Sequence, residues 1–255
     1  GATEDINLAI GGAGLSGVEV AAEMAHVIDK YSKTIGERAK AIKIYLIDAS
    51  DVILPGMSQY IISNTEKRLE KLGVRILTSA FINSVSKSHI YFKDGKELPY
   101  HFMIFTGGIK ATSPDIEPKN ERNRINQFSA DEELNINNTK NVFAIGDCVE
   151  IRDSHGNILP PTAQIAEKSA EYVANTIRKR IDVKASEPFH ANISGIFIAL
   201  GGNYAVGELF GFIKVKGYAA YLLKKAITYA YYLGLHLRIN TGYKNRIKEK
   251  AITDM

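Results

Sequence analysis

The sequence predicts an α/β fold built on a parallel sheet, and three observations carry that prediction. A short apolar run, Ile6–Ile10, ends on a glycine-rich turn containing Gly12, Gly14 and Gly17. Small and apolar residues then recur at helical spacing from Val18 to Ile28. A second apolar run, Ile42–Ile47, follows and ends on Asp48. Strand, glycine turn, helix and strand in that order place two parallel strands side by side with a helix crossing between them.

The remaining elements follow in turn. Asp29–Lys40 reads as a polar connector. Leu54-Pro55-Gly56 is a turn before a helix over Met57–Leu72, which Gly73 stops. Val74–Leu77 is a short strand, and residues 81–92 alternate as a surface strand does. Lys93-Asp94-Gly95-Lys96 carries a hairpin-type turn. Phe102–Phe105 is a buried strand closed by Gly107 and Gly108. Residues 111–138 are polar and loop-rich, and Asn141–Ile145 reads as a strand running into Gly146 and Asp147. Pro160-Pro161 precedes a helix over Thr162–Arg180. Residues 189–216 alternate and carry five glycines, as short antiparallel strands do, and Gly217–Leu237 is helical. No internal repeat is visible. The expected division is 6–110, 111–180 and 181–255.

Composition narrows the class. A chain of 255 residues with 45% hydrophobic and 24% charged residues is ordinary for a globular protein, and its formal charge of +4 makes no case for nucleic acid. Cys148 is the single cysteine, so these residues hold no intramolecular disulfide, no C-x-x-C redox pair and no cysteine-rich zinc site. An inert thiol is expected there. His26, His89, His101, His155 and His190 show no ligand spacing, and no metal is expected. The start, Gly1 to Asp5, is small and acidic and has no signal-peptide pattern. With no clean apolar stretch of about 18–20 residues, a cytoplasmic setting is the simplest expectation.

Chemistry concentrates in Gly12-Ala13-Gly14-Leu15-Ser16-Gly17, which matches G-x-G-x-x-G between a strand and a helix. Gly12 permits a tight turn, Gly14 lets a pyrophosphate approach the backbone, and Gly17 lets the helix pack closely on the sheet. The helix N-terminus, including Leu15 and Ser16, supplies unpaired N–H groups to an anion. Asp48, at the end of the neighbouring strand, can accept hydrogen bonds from ribose hydroxyls and repels a 2′-phosphate. Ala49 and Ser50 add no positive charge, so NADH is expected over NADPH. The spacing from the loop to Asp48 exceeds the usual ~20 residues, which a long first helix and its connector explain. The plainer reading is a structural turn beside a surface aspartate. The motif itself does not separate FAD from NAD.

Four stretches in order, Gly12–Glu23 (GAGLSGVEVAAE), Thr106–Lys110 (TGGIK), Val142–Asp147 (VFAIGD) and Pro160–Ala166 (PPTAQIA), make the chain resemble the type II NADH dehydrogenases, flavoenzymes of the two-dinucleotide-domain superfamily. The resemblance implies a Rossmann-like NADH domain, the returning C-terminal part of an FAD domain, and a small antiparallel and helical C-terminal region. It implies FAD as cofactor, NADH as substrate and a quinone as acceptor. It places Gly12, Gly14 and Gly17 at the NADH pyrophosphate, Asp48 at its ribose, Glu19 near the nicotinamide, and Gly107 and Gly108 where backbone lies close to it. Gly146 and Asp147 fall at the flavin ribityl chain, and Ala163 and Gln164 near the flavin ring and the quinone. A carboxylate near a helix start is also a common dipole partner, which is the plainer reading of Glu19.

Two departures stand out. The family's A-Q-x-A-x-Q pattern reads Ala163-Gln164-Ile165-Ala166-Glu167-Lys168 here, so a cation replaces the second glutamine and leaves the acceptor open. A first FAD-binding unit with its own glycine loop is expected at the front, and this sequence shows none. We therefore expect a fragment that holds little FAD and turns over nothing alone. A ferredoxin, rubredoxin or sulfide:quinone reductase remains an alternative, as does a non-catalytic NADH-binding module.

The last helix is amphipathic. Tyr221, Lys224, Lys225, Thr228, Tyr232 and His236 share one face, and Ala219, Leu222, Leu223, Ala226, Ala230, Leu233 and Leu237 lie opposite. Lys244, Arg246, Lys248 and Lys250 follow. With the resemblance, this is read as a peripheral membrane element over 217–250, on the cytoplasmic side of the cell membrane. The sequence leaves the oligomeric state open, a homodimer included.

Overall fold

The computed structural model describes residues 5–36, 38–117, 119–137, 139–153, 156–191 and 193–253, with side chains as far as Leu237. His155 and the basic run from Lys244 to Lys250 fall outside the described side chains. The chain divides into two compact units, one holding 1–107 and 195–255, the other 108–194. That division differs from boundaries at 110 and 180. Residues 182–194 stay with the helix before them, because Tyr172 donates its hydroxyl to the Glu187 carbonyl at 2.6 Å and the Phe189 amide reaches the Glu132 carbonyl at 2.7 Å.

The first unit is organised by a four-stranded parallel sheet. β1 (Ile6–Gly11) lies between β2 (Ile42–Ile47) and β7 (Phe102–Phe105), and β3 (Val74–Leu77) pairs with the outer side of β2. On one face, Ile10, Ile44 and Leu46 pack against α1 (Leu15–Ile35) and α3 (Gln59–Lys71), through Val18, Ala21, Ala22, Ile61 and Leu69. On the other, Ala9, Tyr45 and Ile47 meet an antiparallel meander, β4 (Ile82–Val85), β5 (His89–Phe92) and β6 (Glu97–Pro99). The period-two alternation of each strand is what allows both faces to be covered. The predicted turn at 93–96 joins β5 to β6, with Gly95 at φ +86°. Ser58 caps α3 by accepting the Ile61 amide, and Gly73 ends it at φ +79°.

α1 runs seven residues past Ile28 to Ile35, is closed by Gly36 (φ +61°), and together with the short helix α2 (Arg38–Ala41) fills most of what reads as a polar connector. A helix already anchored by a buried face propagates through polar residues at little cost. In the second unit, Asn141–Ile145 forms no strand. Its ladder contacts among the described residues reduce to a single bridge, Asn135 with Phe143, flanked by the Ile136 amide on the Val142 carbonyl at 2.8 Å and the Ala144 amide on the Leu134 carbonyl at 3.0 Å. α4 (Ala163–Ile181) starts as expected, capped by Thr162.

The C-terminal part returns to the first unit. β8 (Gly195–Ala199), β9 (Ala205–Leu209) and β10 (Ile213–Gly217) make an antiparallel sheet whose Ile198, Leu200 and Val206 complete the core with α1 and α3. Gly201 and Gly202 let the β8–β9 turn touch α1. An added Cβ would lie 2.6 Å from the Ala22 carbonyl oxygen at the first and 2.7 Å from the His26 ring at the second. Arg68 on α3 donates to the carbonyls of Leu200 (3.0 Å) and Gly201 (3.3 Å) while its guanidinium stacks 4.6 Å from the Tyr204 ring centroid. α5 (Tyr218–Thr253) then begins against β9 and β10 with Ala220 fully buried. Among the described residues no helix is long and apolar enough to cross a membrane.

Arg68 thus serves two carbonyls and one ring at once. Arg68→Ala is expected to cost about 2 kcal/mol, read as a lower urea midpoint; an unchanged midpoint would contradict this account of how the C-terminal sheet is seated.

Candidate functional site

The glycine turn sits where β1 hands over to α1. Gly12 adopts φ +104°, and a Cβ there would lie 2.8 Å from the Thr106 hydroxyl oxygen and 2.9 Å from its carbonyl. Gly17 is closer still: its Cβ would fall 1.8 Å from the Gly12 carbonyl oxygen. No side chain fits at either place. Gly14 differs, since a Cβ there meets nothing within 4 Å, which leaves open space above the turn. As N-cap, Gly14 brings no side chain, and no side-chain hydrogen bond caps the amides that follow. The first turn from Leu15 and Ser16 to Gly17 and Val18 contains no acidic residue. Uncapped amides, the positive end of a 21-residue helix and open space beside Gly14 are the features an anion site requires.

Asp48 closes this site from the next strand. Its two carboxylate oxygens accept the Ala13 amide at 2.5 Å and the Ser50 amide at 2.8 Å. One loop amide is therefore committed to the protein itself. A carboxylate offers about four lone-pair sites, so Asp48 keeps acceptor capacity for hydroxyl donors while it braces the loop. On the other side of β1, Thr106 shares its hydroxyl proton between the carbonyls of Gly11 and Gly12 at 3.1 Å each. Beyond it, Gly107 could carry no Cβ without meeting the Phe105 ring at 2.4 Å, and Gly108 takes φ +105°. The structure thus brings Gly12, Gly14, Gly17, Asp48 and Gly107 to one end of the parallel sheet.

Glu19 lies one turn along α1, past the first turn where the dipole is strongest. Its Oε1 accepts the Ala199 amide at 2.9 Å and the Lys224 ammonium at 2.5 Å, with both side chains about one-third exposed. Lys224 therefore leaves the solvated face on which helical spacing put it. Among the described residues of the tail's apolar face, Leu222, Leu233 and Leu237 are exposed at 47%, 47% and 58%.

In the second unit, Gly146-Asp147-Cys148 forms a short 3-10 turn with Gly146 at φ +64°. The fully buried Ser169 of α4 accepts the Gly146 amide at 3.0 Å and donates to Ala166. Behind the turn, buried Gln127 donates to the Asp147 carbonyl at 3.1 Å, and Asn123 links Gln127 to Glu150. The turn is braced through its backbone, and the Asp147 side chain is left exposed. An exposed carboxylate on a braced turn fits a polyol such as the flavin ribityl chain. The Cys148 thiol donates to the Ile145 carbonyl at 3.1 Å. On α4, Ala163 is exposed, Gln164 accepts the Ser194 amide at 3.1 Å, and Lys168 donates to the Ser194 hydroxyl at 3.3 Å.

Several residues of this geometry escape a reading of sequence. Thr106 belongs to a motif that could have flagged it. Ser50, Lys224, Ser169 and Gln127 carry no local signal, because their partners are set by the tertiary fold.

Residues 2–170 match the family model described as pyridine nucleotide-disulphide oxidoreductase. The type II NADH:quinone oxidoreductase of Haemophilus influenzae is 27% identical over 207 residues, 80% of this chain and 47% of that protein. The protein of the same name from Staphylococcus aureus is 28% identical over 227 residues, 88% of this chain and 56% of that protein. The chain thus spans about half the length of these curated relatives. Among solved structures, NDH2 from Plasmodium falciparum in complex with NADH is similar at a TM-score of 0.73 and 20% identity, over 88% of this chain and 61% of that one. At that identity the likeness is one of fold.

Glu150 supplies a pH test of the brace behind Asp147. The Asn123 amide holds its carboxyl below the ordinary value of 4.5, burial opposes this, and Arg152 adds to the lowering. A depressed carboxylate contributes stability that is present above pH 4.5 and lost as pH falls through its folded value. Glu150→Gln is therefore expected to flatten the acid limb of a melting-temperature profile. An unchanged limb would show that the network contributes nothing.

Proposed function

The chain belongs to the pyridine nucleotide-disulphide oxidoreductase family, and from that premise we propose that it is the NADH-binding and C-terminal portion of a type II NADH:quinone oxidoreductase that carries electrons from NADH through FAD to a membrane quinone. The observation that carries the reading is the pairing of an uncapped glycine-loop helix with Asp48 on the adjacent strand. The helix amides of Leu15, Ser16 and Gly17 take the dinucleotide pyrophosphate at the open Gly14 turn. The free acceptor capacity of Asp48 takes the adenosine ribose hydroxyls, and its charge disfavours a 2′-phosphate.

The two-electron chemistry belongs to bound FAD, which Asp147 and the start of α4 would help to hold. Gly107 and Gly108 are proposed to lie where backbone comes close to the nicotinamide end. Glu19, held by Ala199 and Lys224, presents a fixed carboxylate beside a cation, able to orient a carboxamide. Gln164 and Lys168 flank the acceptor side. A disulphide-reducing member of the family needs a cysteine pair, and these residues offer only Cys148.

The tail supports a peripheral membrane location. Its leucines are exposed and its cations include Lys225. Such a helix lies in the interface without crossing it, where a lipid-soluble quinone resides; the cytoplasmic leaflet is the proposed side.

Isothermal titration of the 255-residue chain tests the nucleotide assignment. NADH is expected to bind, NADPH about tenfold or more weakly, and Asp48→Ala to narrow that gap. Equal affinities for the two dinucleotides would remove Asp48 from the proposed role.

A further inference from the structure

The tip of the β9–β10 hairpin spends backbone strain on an exposed aromatic. The turn Leu209-Phe210-Gly211-Phe212 is closed by the Phe212 amide on the Leu209 carbonyl at 3.2 Å. Phe210 has φ +52° and Gly211 φ +77°. Positive φ at both central positions is type I′ geometry, whose first central place favours Asn, Asp or Gly. A bulky side chain there is strained. Packing does not repay the strain, since Phe210 is 64% exposed and Phe212 71%, with their ring centroids 6.4 Å apart.

The surrounding sequence narrows what the rings could meet. From Leu209 to Leu237 there is no Asp or Glu, although Glu208 just before it stands opposite Lys214 in the hairpin; of Lys214, Lys216, Lys224 and Lys225 in that stretch, Lys224 is paired with Glu19. Lys214 and Lys225 are exposed. Two solvated rings on a tight turn, followed by a stretch of one sign of charge, fit the boundary between anionic head groups and acyl chains. The turn residues outside this pair offer no competing explanation: Gly211 has no side chain, and Leu209 lies within β9.

We propose that the Phe210–Phe212 tip is a lipid-inserting wedge, a second membrane contact separate from the tail helix, with an anionic bilayer as its occupant. The inference rests on the peripheral membrane reading of the preceding section. It explains why an unfavourable residue stands at the turn: the ring is used outside the fold.

Flotation of the full chain with phosphatidylcholine vesicles, with and without phosphatidylglycerol, tests it. Phe210→Asn places a favoured residue in the turn, so it should raise Tm by about 2–4 °C while weakening binding to anionic vesicles about tenfold. Leu233→Ser with Leu237→Ser is the separate test of the tail. If the unaltered chain fails to float, both the wedge and the membrane reading fall. If the tail variant loses binding and Phe210→Asn does not, the wedge alone is overturned. If Phe210→Asn instead dissolves a sedimenting dimer and leaves flotation intact, the tip's partner is a second copy and the wedge is likewise overturned. The chain contains no tryptophan, so Phe212→Trp gives a direct reporter. Its emission should shift to the blue on adding anionic vesicles, and an unmoved spectrum would contradict insertion.

Discussion

The close crossing of α1 over β1 is the constraint on which the first unit depends. Gly17 rests so near the Gly12 carbonyl that even a methyl group is excluded, and Gly12 in turn abuts Thr106. Only this approach brings the first amides of α1 to the ends of β1 and β2, where Asp48 can reach the Ala13 amide. It also lets Val18, Ala21 and Ala22 vanish completely into the core. The small residues along α1 are thus a packing requirement, and in the proposed reading a ligand requirement as well.

The same helix carries the C-terminal region. Ala22 and His26 receive the β8–β9 turn, Glu23 accepts the Gly202 amide at 3.2 Å, and Glu19 joins β8 to the tail through Ala199 and Lys224. One face of α1 therefore holds the sheet that positions the loop, and another holds the strands that lead into α5. A helix shared in this way links the glycine turn to the exposed tail within one compact unit. The nucleotide loop and the proposed membrane elements do not need a hinge between them to be held in register.

Much of this was legible because it is local. The G-x-G-x-x-G turn, the strand ending on Asp48 and the Gly95 hairpin each declare themselves within a few residues. What could not be read depends on partners far along the chain. Asp48 reads as a ribose ligand, yet it also braces the loop, a role visible only once Ala13 is placed 35 residues away in sequence. Helical spacing assigns Lys224 to solvent, and only the fold supplies Glu19. The extension of α1 past Ile28 was hidden by polar composition, since a solvated helical turn and a loop share the same residues. Asn141–Ile145 has the composition of a strand, but strands exist only in pairs, and a single bridge does not make a ladder. Phe210 at a type I′ turn runs against turn preference, so sequence alone would not place it there.

The uncapped start of α1 and the Asp48 strut together are proposed as a dinucleotide site. Backbone amide NMR of the isotopically labelled chain titrated with NADH tests it most directly. Gly14, Leu15, Ser16, Gly17 and Ser50 are expected to shift on a common binding curve, with Asp48→Ala moving that curve to weaker NADH affinity. Amides of the glycine turn that stay unmoved at saturating NADH, or shifts gathered on another surface, would contradict it.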